Sequence, residues 1–264
     1  MLSNLMRLFG IKMYRNCYKF FINVVFVICL SSFLPITNAK DIRLLNTLLD
    51  SVLNAHVKDG YVDYPQLKKN SRFQKYLVLL ESFEPSTLET KDHQVAFWIN
   101  TYNSLALKMV VNGTTPVNAV GRMKFYRTTE HKIGKRKYDL NSIKSILEEL
   151  EDPRVLFTIV DASYAAPVLK NEIYRALSIN QDLDDAVFAF VNDNRKNRFL
   201  PNLRIAKLSK IFERNQSMFG QNNTDLLSWI GRYHENEDVA DDLIDGRFEV
   251  DYLDYEYSIN GLPL

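Results

Sequence analysis

The sequence predicts an α+β protein, a helix-rich single domain with a buried central strand and hairpins. Three observations predict it. Amphipathic stripes at helical spacing recur along the chain, short apolar runs of strand length stand between them, and the two patterns interleave without strict strand–helix–strand order. From Asp41 onward glycines are sparse and no low-complexity linker or repeat intervenes, as one compact unit requires. With 264 residues, 46% of them hydrophobic, the chain can bury a core without help from disulfides or metals.

The first 39 residues differ from the rest. Arg7, Lys12, Arg15 and Lys19 precede the apolar run FFINVVFVICLSSFL, and Thr37-Asn38-Ala39 supplies a small-residue end suited to signal peptidase. We read 1–39 as a secretory signal cleaved after Ala39, with Met13 as an alternative start. The mature chain, 40–264, is then expected in the periplasm or outside the cell. An apolar core of about 15 residues is shorter than the roughly 20 that a spanning helix needs, which makes a membrane anchor the lesser alternative. Cleavage removes four of the 33 Lys and Arg and none of the 32 Asp and Glu, moving the formal charge from +1 to −3. That argues against a nucleic-acid partner. Both cysteines, Cys17 and Cys29, leave with the signal, so the mature chain has no disulfide framework, cysteine metal site or cysteine nucleophile.

Next comes DIRLLNTLLDSVLNAHVK, with Ile42, Leu45, Leu49, Val52 and His56 on one stripe; His56 is expected to close its apolar face. A second helix is expected over about 87–112, opened by Ser86 and Glu89 at capping-box spacing and stopped at Asn112-Gly113. Val95, Trp98, Ile99, Tyr102, Ala106, Met109 and Val110 form its core stripe, and Asn100 and Asn103 beside them suggest a buried polar network. MKFYRTTEHKIGKRKYDL reads as two strands turning near Gly134, with Asp139 capping the helix that follows. VLFTIV, a continuous run of strand length with four β-branched residues, reads as a strand buried on both faces. A helix over about 180–193, an extended pair around 197–207, the helices SKIFERNQSMF and TDLLSWIGRYH, and an edge strand in FEVDYLDYEYSING complete the chain.

VAFWINTYNSLALKMVV resembles the signature helix of the DUF547 family, a domain of unassigned function, and the likeness continues through GYVDYPQLKKN, DPRVLFTIVDASYAAPVL, KLSKIFERNQSMFG and YEYSIN. The family's helix corresponding to the one after Asp139 usually carries Glu-His, where this sequence has Lys144 and Ser145. Its strand-turn segment usually reads Cys-Ala-Ser, two residues, then Cys-Pro; here the cysteine positions hold Asp161 and Ala166, while Ala162, Ser163 and Pro167 are retained. The family's Cys and His imply a papain- or transglutaminase-like fold and a thiolate attacking an acyl carbon. By that likeness this chain has lost nucleophile and base together and is expected to be non-catalytic.

Two functional readings follow. In the first, Asp161, Ser163, Asn100, Asn103, Tyr102 and Ser145 line a pocket for an unknown small molecule or peptide bearing an amide or carboxylate. The plainer reading of Ser163 and the asparagines is structural, as turn and strand-to-helix pins. Asp161 resists that reading, because a carboxylate after a buried strand must be paired or solvated in a cleft. In the second, a peptide, amide or ester hydrolase uses Asp161 or Ser163 with a histidine, His131 being the one placed near the turn; His93 and His234 lie elsewhere. No cofactor motif occurs, and neither DLDD at 182–185 nor DVADDLID has calcium-loop spacing. GKRK at 134–137 reads as a solvated hairpin end, and the Tyr-rich tail as a core-facing edge, although an exposed Tyr255-Tyr257 pair could serve a protein partner.

Overall fold

The structure, a computed structural model, describes residues 35–262, with side chains from Asp41 onward. The chain divides into two units, Met1–Leu44 and Leu45–Leu264, and the description below concerns the second. The segment expected to be a signal, 1–39, lies outside the described residues apart from the backbone of 35–39. Among the described residues no helix is long and apolar enough to cross a membrane.

Helix α1 (Pro35–His56) buries Leu45, Leu49 and Val52 as its stripe demands. Its last residue departs from expectation: His56 is half-buried and shares a 2.7 Å hydrogen bond with the Asn70 amide, a polar end to the stripe. Strands β1 (Val57–Lys58) and β2 (Tyr61–Val62) form a hairpin whose Asp59-Gly60 turn has both φ angles positive. That is the mirror-image turn matching strand twist. Asp63 then caps α2 (Tyr64–Lys69) by accepting from Gln66 N, and Asn70 caps α3 (Ser71–Ser82) by accepting from Phe73 N.

Helix α4 (Lys91–Val111) is the centre of the unit, buried at every position from Val95 to Leu107. It begins later than predicted. Pro85–Thr87 makes a 3-10 turn, and Thr90, not Ser86, accepts from the His93 amide. Ser and Thr both serve as caps, so spacing alone could not choose between them. The stop is as expected: Gly113, at φ +82°, donates to Val110 O, and Thr114 donates to Met109 O. This is a Schellman closure.

The two predicted strands do turn at Gly134, but the leading part of the first, 123–128, is helical instead. Asn118 caps α5 (Ala119–Met123), and the chain widens into one π-helical turn, Lys124–Thr128. The Phe125-Tyr126 alternation that suggested a strand is only two residues long, and a cap at Asn118 overrides it. β3 (His131–Ile133) and β4 (Arg136–Tyr138) form the hairpin, turning at Gly134, and Asp139 with Ser142 makes a capping box for α6 (Leu140–Glu148).

The predicted buried strand is buried without being a strand. Pro153–Phe157 forms a 3-10 helix, and the chain then runs irregularly, although every residue from Val155 to Ser163 is buried. Among the described residues no strand pairs with 155–160. Asn103 does so, donating to Thr158 O and accepting from Val160 N, each at 2.8 Å. An unbroken apolar run reports burial and leaves the backbone conformation open.

Helix α7 (Ile179–Val191) follows, then β5 (Arg198–Leu200), β6 (Ile205–Leu208), α8 (Lys210–Arg214), α9 (Asn223–Gly231), α10 (Glu237–Ile244) and β7 (Glu249–Tyr252). β6 lies between an antiparallel β5 and a parallel β7, which leaves β7 at an edge as expected. Phe157 packs here against the rings of Phe190, Phe212 and Trp229 at centroid distances of 4.9, 5.4 and 5.7 Å. With its small separate sheets and predominant helix, the unit is α+β and helix-rich.

Candidate functional site

The irregular segment ends in the turn Asp161-Ala162-Ser163, where Ala162 holds a left-handed φ of +62°. This conformation folds Ser163 back on Asp161: its amide and hydroxyl donate to Oδ1 at 3.1 and 2.5 Å. Two tyrosines occupy the other oxygen. Tyr255 OH donates to Oδ2 at 2.9 Å, and Tyr126 OH donates to the same atom. Tyr126 arrives on the π-helical turn. Tyr255 arrives on the strap after β7, which is held to the turn by Tyr164 N→Ser258 O, Ala165 N→Glu256 O and Asn260 N→Ala162 O at 2.7, 3.0 and 3.0 Å. A carboxylate offers about four lone-pair directions, and four donors fill them here.

Burial, with the Asp161 charge second, pushes the phenols of Tyr102, Tyr126 and Tyr255 well above the usual range. They therefore stay protonated at any ordinary pH and act as donors.

Asp161 lines a cleft of about 330 Å³ together with Tyr102, Tyr126, Tyr255 and Pro167. Leu140, Leu156, Ile159 and Ile211 supply its apolar wall, and Arg127, Lys144, Arg214, Asn141 and Asn215 supply polar groups. Lys144 pairs with Glu148 and donates to Asn215 Oδ1 at 2.9 Å. Arg214 lies 4.6 Å above the Tyr255 ring and donates to Tyr257 OH at 2.9 Å. On the other side of Tyr257, Arg122 stacks at 4.4 Å.

Of the residues singled out from sequence, Asp161 and Tyr102 reach this cleft. Asn100 and Asn103 do not. Asn100 donates to Tyr174 O and accepts from Tyr174 N at 2.8 and 2.9 Å, so both asparagines pin backbone to α4, as the plainer reading has it. Ser163 lies beneath the turn, beside a separate small pocket shared with Lys196. The Lys196 amine donates to Tyr164 O, and burial holds it down to about 8. Ser145 is half-buried on α6 outside the cleft lining, while its neighbour Lys144 is inside.

His131 is buried on β3 and makes no hydrogen bond to Asp161 or Ser163, and among the described residues its Nε2 has no partner. Burial, aided by the Lys108 charge and opposed by Asp139, lowers its pKa to about 4. His93 shares its bond with Thr90, and His234 packs edge-on against Phe199.

Residues of the acidic and basic runs are engaged in ion pairs: Asp182, its side chain largely buried, receives Lys170 at 2.7 Å, Asp184 receives Arg154 at 2.9 Å, and Lys137 pairs with Glu130 at 3.3 Å. Among the described residues no three His, Cys, Asp or Glu side chains gather as metal ligands.

Sequence reasoning missed Tyr126, Arg127 and Arg214 as cleft residues and placed Tyr255 on a core-facing edge, or else in an exposed pair, without linking it to Asp161. Neighbours in a helical turn diverge by roughly a quarter turn, which lets Phe125 enter the core while Tyr126 lines the cleft, and no local signal in the sequence marks this.

The family model of DUF547, described as a protein of unknown function, matches residues 85–191. The match takes in α4, the π-helical turn, α6 and the Asp161 turn. No curated protein and no solved structure matches the chain.

Proposed function

We propose, for a chain whose residues 85–191 belong to the DUF547 family, that it is an exported, non-catalytic protein whose cleft at Asp161 binds a ligand. The single observation that carries this reading is the saturated carboxylate at the floor of an open cleft. Asp161 Oδ1 and Oδ2 each accept two donors, so the group can take a proton from a ligand only by giving up a bond it already has. No histidine is hydrogen-bonded to it. Its work is to orient Tyr126 and Tyr255, while Asn100 and Asn103 hold the frame around them. The likeness to the family supports the same reading, because its thiol and imidazole positions are Asp161, Ala166 and Ser145 here.

The test compares wild type, Asp161→Asn and the pair Ser145→His with Ala166→Cys on peptide, amide and ester libraries. No turnover by the wild type is expected. Turnover that disappears in Asp161→Asn would replace this reading with a carboxylate-based hydrolase. Export is tested separately by mass spectrometry of the secreted or periplasmic form, which should begin at Lys40 or close to it.

A further inference from the structure

Among the described residues some arginines are held by an aspartate and several are not. Arg154, Arg175, Arg195 and Arg247 each lie within 3 Å of an aspartate: Asp152 at 2.7 Å, Asp50 at 2.9 Å, Asp193 at 2.7 Å and Asp245 at 2.6 Å. Arg127 and Arg214, both exposed and both lining the cleft, form no ion pair. Stacking on Tyr255 and one bond to Tyr257 fix the Arg214 guanidinium and leave most of its five N–H donors unused. Lys144, the third cation of the lining, is paired with Glu148. The lining therefore sets two arginines without an ion pair against the one carboxylate of Asp161, which leaves a net positive charge for an anion to meet.

The floor has the opposite bonding character. A phenol has one hydrogen, and those of Tyr126 and Tyr255 are committed to Asp161. What these hydroxyls can still offer is lone pairs. A ligand reaching them must donate. Leu156, Ile159 and Ile211 line the same cleft and suit an apolar body.

Resting on the ligand-binding reading above, we infer that the cleft takes a small organic acid with three parts. An oxyanion, carboxylate or phosphate ester, is bound by Arg127 and Arg214; a short apolar body lies on the aliphatic wall; and an amide N–H or hydroxyl donates to the Tyr126 and Tyr255 oxygens. Planar guanidinium groups match either oxyanion in bidentate fashion.

Calorimetric titration of the mature chain with N-acetyl-L-leucine, its neutral carboxamide, 4-methylpentanoate and 3-methylbutyl phosphate tests each part. N-acetyl-L-leucine is expected to bind, the carboxamide at least about tenfold more weakly, and the effect to shrink as salt rises. 4-Methylpentanoate should also fall below N-acetyl-L-leucine, because it lacks the donor. The comparison of 4-methylpentanoate with 3-methylbutyl phosphate identifies the preferred oxyanion. Arg127→Gln and Arg214→Gln should each weaken the acid by about tenfold, and Arg214→Lys should retain part of the affinity by keeping charge while losing the planar fork. Equal binding of acid and carboxamide, or unchanged binding in both glutamine variants, overturns the anion site. Equal binding of N-acetyl-L-leucine and 4-methylpentanoate overturns the donor requirement, and no binding by any of the four at millimolar concentration overturns the ligand class. Those failures differ from turnover in the substrate libraries, which would overturn the non-catalytic reading itself.

Discussion

Phe157 and Asp161 stand one helical turn's worth of chain apart on the same buried segment, yet each is the centre of a different aromatic assembly. Around Phe157 the rings of Phe190, Phe212, Phe219 and Trp229 meet face to tilted face and contribute dispersion and apolar burial. Around Asp161 the rings of Tyr126 and Tyr255 matter for their hydroxyls, which share one carboxylate oxygen. The first assembly would survive exchange among large apolar residues of similar volume. The second would not, since its members are bound by direction and by the number of lone pairs. A chain can thus build its core and its polar cleft from the same residue class within one short segment.

The largest effect that would separate the two is Phe157→Ala, expected to cost about 3–5 kcal/mol in denaturant unfolding through the cavity it leaves. Phe157→Leu should recover most of that loss. A small loss in the alanine variant would mean that the apolar assembly does not organise the unit. Asn103→Ala comes next, at about 1–3 kcal/mol, because it strips partners from Thr158 O and Val160 N in the link between the assemblies. If its midpoint matched the wild type, the link would be self-supporting.

Acid sharpens the comparison further. His131 is held at about 4 in the folded chain against an ordinary value of 6.5, so the unfolded chain binds more protons between these values. Its neutral burial therefore contributes stability that is complete above pH 6.5 and is lost as pH falls toward 4. His131→Gln should flatten that part of the stability profile; an unaltered acid slope would transfer the sensitivity to carboxylates. The smallest change is expected for Ala162→Gly. Relief of the left-handed backbone and the added freedom of glycine oppose each other, leaving a net shift within about 1 kcal/mol.

Much of the apolar assembly was legible in the sequence. The α4 stripe, the Gly113 stop, the Asp139 cap and the paired asparagines depend on neighbours three or four residues away, and they stand as read. VLFTIV was legible as burial only, since the partner that replaces a strand is the single side chain of Asn103. The polar assembly depends on residues far along the chain. Nothing near Tyr255 indicates that it will meet Asp161, 94 positions earlier, and nothing near Arg214 indicates that it lacks an aspartate. Asp161 itself was found because a carboxylate at the end of a buried run needs an explanation wherever its partners lie.

The strap after β7 has a consequence for the order in which the molecule can be made. Asn260 donates to Gly60 O across 200 positions and Tyr64 donates to Asn260 across 196, while Ile259 bridges to Ser163. A nascent chain cannot make these closures until residue 260 has emerged, by which time α4 and the Phe157 rings can already be assembled. Loop closure over such separations is slow compared with helix formation. The cleft is therefore a late product of folding, and a chain shortened before Tyr255 would keep most of its core while losing its binding site.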